Sequence, residues 1–127
     1  MKASQSSLYS AIESLYVWCI PVCNRLPKDL AFRCMGERLV NELTDACTTC
    51  ALALRTANAK ERLDILEVLT IHMTNIKSIV KTWFEWSSKE GQVIRIVSRG
   101  QHIEYLKQMD TIGIQLGAWM RKTAEKL

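Results

Sequence analysis

The chain has 127 residues, 48% hydrophobic and 24% charged, which fits one domain able to bury a core of its own. With 5 glycines, 2 prolines and no repetitive tract, it reads as neither disordered nor fibrous. A net charge of +4 is far from histone-like density, yet it favours anionic partners if gathered on one face.

Apolar residues recur at helical spacing almost from end to end, and no segment alternates as a strand does. The first helix, about residues 7–25, opens after the N-cap candidates Ser6 and Ser7 and carries Leu8, Ile12, Leu15 and Cys19. Pro21 cannot donate to the carbonyl of Val17 and is expected to kink it. The uncharged stretch from Ser14 to Asn24 is shorter than the roughly 18 residues of a membrane span. Leu15–Cys23 could pass for a signal-peptide core, but Glu13 precedes it and no small-residue cleavage site follows, so a cytoplasmic protein is expected.

Pro27 and Asp29 suit the start of a second helix, about 28–57, striped by Met35, Leu39, Leu43, Ala46 or Cys47, Cys50 and Leu54. Asn58 breaks it. A third helix, about 59–87, carries Leu63, Leu66, Leu69 or Val68, Met73, Ile76, Val80 and Trp83. Ser87 to Val97 loses the period and forms the one substantial connection. The fourth helix, about 98–125, opens on a Ser98–Gln101 capping box and continues through Ile103, Leu106, Met109, Gly113, Leu116 and Met120. Gly113 and Gly117 lie on one face, and close approach of a neighbouring helix is the expected reason for them.

Residues 1–127 thus form a single all-α domain, an antiparallel up-down four-helix bundle. Tyr105, Ile112 and Trp119 recur every seven residues beside the main stripe of the fourth helix. Trp83 and Trp86 point in different directions. A second apolar face predicts a homo-oligomer interface at Tyr105, Ile112 and Trp119; the alternative is that these aromatics cover the bundle's ends.

No catalytic constellation emerges. Cys47 and Cys50 form the only CxxC, but inside a helix and without a second ligand pair they read as core cysteines. An odd total of 5 cysteines suggests a reducing compartment. Leu69 and Arg99 stand where a di-iron bundle places glutamate before His72 and His102, so no metal or cofactor is expected. His72, between apolar residues, reads as a hydrogen-bonded core or boundary histidine.

The cations say more. From Val68 to Phe84 there is no carboxylate, while Lys77 and Lys81 stand one turn apart. Arg95 and Arg99 flank the start of the fourth helix; Arg121 and Lys122 crowd its end, where the helix dipole also favours them. In the second helix, Arg33 and Arg38 are partly offset by Glu37. These positions suit sequence-independent phosphate contacts, against the alternative of a solvated face with a sign bias. A symmetric assembly would multiply each small patch.

Pro21, then Leu26-Pro27-Lys28, Phe32 and Gly36, and above all Ile112-Gly113-Ile114-Gln115-Leu116-Gly117-Ala118-Trp119, resemble a known family. The pattern is similar to the four-helix-bundle accessory variability proteins of diversity-generating retroelements, across roughly residues 8 to 122. Those proteins are related to four-helix proteins encoded in intervening sequences of 23S ribosomal RNA genes. The resemblance implies a homopentameric barrel without catalytic activity. It also implies a partner, the element's reverse transcriptase, acting on RNA and an RNA–DNA hybrid during mutagenic copying. Lys77 and Lys81 fall where the family often has two arginines, and lysine lacks the planar fork for bidentate contacts. Ala118 replaces a frequent second glycine. The alternative is a generic bundle of the intervening-sequence type, RNA-associated or structural, without a polymerase.

Overall fold

A computed structural model describes residues 3–89 and 97–127, with side chains at 7–83 and from 97 onward. Four helices, α1 (Ala3–Asn24), α2 (Leu30–Arg55), α3 (Ala59–Lys89) and α4 (Arg99–Ala124), account for nearly all of them, and the described residues contain no strand. Consecutive helices pack on one another and α4 closes the square on α1, while the diagonal pairs stay apart. The result is an up-down-up-down four-helix arrangement, as the periodicity predicts.

Local chemistry sets the ends. The Asn58 side chain accepts from the Glu61 amide at 3.0 Å, so the residue that breaks α2 also caps α3. Ser98 and Gln101 exchange hydrogen bonds of 3.2 and 3.1 Å in the expected capping box. Gln101 also ties α4 to α1: its carbonyl accepts from Trp18 Nε1 at 3.1 Å and its side chain from Arg25. At the opposite end Arg62 donates to the Thr56 carbonyl at 2.9 Å and lies 5.9 Å from the Trp119 ring centre.

α1 begins four residues earlier than expected, at Ala3, and runs on through Pro21, which sits in its last turn. There the break costs little, because the chain leaves the helix at Asn24. Between α1 and α2, a β-carbon added at buried Gly36 would meet Leu26 Cδ1 at 2.7 Å, so glycine lets the connecting segment fold flat on α2. Most of the Ser87–Val97 connection, and Arg95 with it, lies outside the described residues, as does the Trp86 side chain.

The core stripes of α1, α2 and α3 are largely those expected: Leu8, Ile12, Leu15 and Cys19; Leu39, Leu43, Ala46 and Cys50; Leu66, Leu69, Met73, Ile76, Val80 and Trp83. On α4 the expected stripe is only partly inward: Leu116 is buried and Met109 and Met120 pack on the core, but the neighbouring row takes the rest of the interior. Tyr105, Ile112, Leu116 and Trp119 are buried in the chain's own core, whereas Ile103 and Leu106 are about half exposed at 47% and 50%. The bulkier stripe won the interior because it removes more apolar surface from water.

Candidate partner and nucleic-acid interface

Burial of the Tyr105, Ile112 and Trp119 row moves the candidate interface. Tyr105, Ile112 and Trp119, expected to meet another subunit, are instead buried in the chain's own core, with Tyr105 and Ile112 reaching the edge of the groove between α3 and α4. The second apolar face consists instead of Ile103, Leu106, Met109, Gly113 and Ile114. Together with α3 this face forms a groove of about 630 Å³ along the α3–α4 seam. Nothing lies within 4 Å of a β-carbon built at Gly113, and at Gly117 only the Arg121 guanidinium comes close, at 3.5 Å. The glycines therefore do not admit a neighbouring helix of this chain, as the sequence led us to expect; they leave the groove open.

The α3 wall of the groove is made by Thr70, Met73, Thr74 and Lys77. The Thr70 hydroxyl donates to the Leu66 carbonyl at 3.0 Å and the Thr74 hydroxyl to the Thr70 carbonyl at 2.9 Å. Both hydroxyl donors are thus satisfied on α3, and the Thr70 hydroxyl also reaches across the seam to Met120 Sδ of α4 at 3.6 Å. Lys77 and Lys81 are exposed one turn apart on this flank, as the spacing predicts. Across from them, Asp110 lines the same groove, so its two rims carry opposite charges.

The remaining predicted cations do not join this pair. Arg99 and Arg121 are both exposed but sit at opposite ends of α4, separated by about 33 Å at 1.5 Å per residue. Lys122 is exposed beside Arg121 in the last turn. The basic residues form separate small patches along the bundle.

One polar cluster escaped sequence analysis. Glu42 of α2 is 6% exposed and accepts three hydrogen bonds: from His72 Nδ1 at 2.7 Å, Arg38 Nε at 3.0 Å and Asn75 Nδ2 at 3.1 Å. Burial alone would raise its carboxyl, but the bonds from His72, Arg38 and Asn75 together outweigh burial and hold it below the usual carboxylate value. Arg38 is offset by Glu42, then, rather than by Glu37. The available signal was Glu42 one residue short of Leu43 on the α2 stripe, with a histidine and an asparagine three apart on α3.

No family model, curated protein or solved structure matches the chain.

The cysteines give little reactive thiolate at the CxxC. Cys50 is buried, which pushes its thiol up to about 12, and Cys47 is raised by burial and then by Glu13. On α1, Cys19 is also held up, foremost by its interaction with Cys23; Cys23 is lowered by that interaction against the effect of burial. Among the described residues no three or more His, Cys, Asp or Glu side chains gather as a metal site would require, and no helix is long and apolar enough to cross a membrane.

Proposed function

We propose that this protein is a non-catalytic accessory subunit of a diversity-generating retroelement, binding the element's reverse transcriptase and its RNA or RNA–DNA hybrid. The Ile112–Trp119 string and the four-helix fold support the assignment. The observation that carries it is the exposed Lys77–Lys81 pair beside an open apolar groove, on a helix stretch without a carboxylate. Such a protein acts by contact alone. It presents charge and apolar surface that hold polymerase and template together, and every phosphate contact makes the hold weaken with salt.

Self-association belongs to the same proposal. A closed ring needs two different patches on each subunit. With Tyr105, Ile112 and Trp119 committed to the core, the exposed apolar residues Val17 and Ile20 of α1 and Val68 and Ile71 of α3 are available, on diagonally opposite helices. The separation of Arg99 from Arg121 and Lys122 favours a second reading, a bundle of the ribosomal intervening-sequence type that touches RNA at scattered points without a polymerase.

Lys77→Glu combined with Lys81→Glu should preserve helicity and assembly while abolishing capture of co-expressed reverse transcriptase or its RNA at moderate salt. Unchanged capture refutes the site. A wild-type protein that ignores the polymerase in size-exclusion with mass detection, yet retains RNA, supports the second reading.

A further inference from the structure

The α3–α4 groove differs from the other basic positions in what surrounds the charge. Arg99, Arg121 and Lys122 stand at helix ends, where phosphate could approach from several sides. Lys77 instead rises beside Thr70, Met73 and Thr74, opposite the exposed or half-buried Leu106, Met109, Gly113 and Ile114. A polyanion gains nothing by covering those apolar groups. An amphipathic helix does, because its side chains can fill the groove while Gly113, open above its backbone, lets the partner's backbone come near.

The rims also fix an orientation. Lys77 on the α3 side calls for carboxylates along one flank of the occupant, and Asp110 on the α4 side calls for cations or neutral groups along the other. We propose that the α3–α4 groove is the seat of one amphipathic helix from a protein partner, bound with its acidic flank over α3 and its apolar face on the Leu106–Gly113–Gly117 stripe. For the partner's identity this rests on the function proposed above. It divides the basic residues by role: Lys77 and Lys81 meet protein, while the helix-end cations are left for nucleic acid.

Gly113 allows a test that spares the fold. Since no side chain and no neighbouring helix lies within 4 Å of its virtual β-carbon, a side chain added at Gly113 projects into the groove, and circular dichroism with urea denaturation checks that Gly113→Leu keeps the fold. The probe is a fluorescein-labelled helical peptide with a Leu/Ala stripe, glutamates on one flank and lysines on the other; its control carries lysines on both flanks. The mixed-charge peptide should bind the wild type, and Gly113→Leu should weaken binding by roughly tenfold or more, a loss of about 1.4 kcal/mol or above. Lys77→Glu should reverse the preference between the two peptides. Absence of binding, equal binding of both peptides, or indifference to Gly113→Leu overturns the proposal. So does a change in oligomeric state of Gly113→Leu by sedimentation, which would give the groove to a second copy. Polymerase capture by Gly113→Leu equal to wild type removes the groove but leaves the accessory function standing. Peptide binding by a protein that ignores the polymerase does the reverse.

Discussion

The two flanks of α3 face their neighbours in opposite ways. Toward α2, polar groups of both helices meet and satisfy one another at Glu42, His72 and Asn75, over a seam of buried Leu39, Leu43, Leu69 and Ile76. Toward α4, the Thr70 and Thr74 hydroxyls donate to α3 carbonyls, Lys77 and Lys81 are exposed, and the facing stripe stays half exposed. One helix thus spends one side on holding the bundle together and keeps the other open to something else. The contrast teaches where stability and recognition can be separated by mutation.

The largest expected effect tests the closed side. Ile76→Ala should cost about 2–5 kcal/mol by urea denaturation, since it opens a cavity in packed interior. Leu106→Ala, at 50% exposure, should stay within about 0.5 kcal/mol. Equal losses at the two positions would erase the distinction between the flanks.

Next comes the polar cluster. Glu42→Ala should cost about 1–3 kcal/mol, because it leaves His72 and Asn75 without their acceptor. The pH dependence has a definite sign. Glu42 titrates lower in the folded protein than its ordinary 4.5, so its contribution is full above that value and is lost as pH falls through the lower, folded one. Glu42→Gln should therefore flatten the acid limb of stability against pH; an unaltered limb would place the acid sensitivity elsewhere.

The smallest effect is a gain. Gly113→Ala should stabilise the isolated protein by up to about 1 kcal/mol, since the added methyl meets nothing and the helix loses a flexible residue. A destabilised Gly113→Ala would mean that α4 is already covered there in solution.

Much of the fold was legible from spacing. The boundaries of α2, α3 and α4 fell within two residues of expectation, and Asn58, Ser98 and Gln101 punctuated the chain through side-chain to backbone bonds that act locally. The inward face of α4 was not legible. Two stripes of comparable hydropathy run along it, and only packing against α1 and α3 decides that Tyr105, Ile112 and Trp119 go inside. Lys77 and Lys81 could be placed on a shared surface because one turn separates them on one helix. Arg99 and Arg121 could not be related to them, since that depends on how helices of opposite direction line up. Glu42 was hidden for a similar reason: its bonds to His72 and Asn75 span 30 and 33 residues.

The self-bonded threonines of α3 carry one more consequence. Thr70 and Thr74 keep their hydroxyl bonds to Leu66 and Thr70 whether the seam is wet or dry. Neither the arrival nor the departure of a helix orphans either hydroxyl donor. Docking at such a surface is suited to rapid exchange, with residence time set by the lysines on the rim.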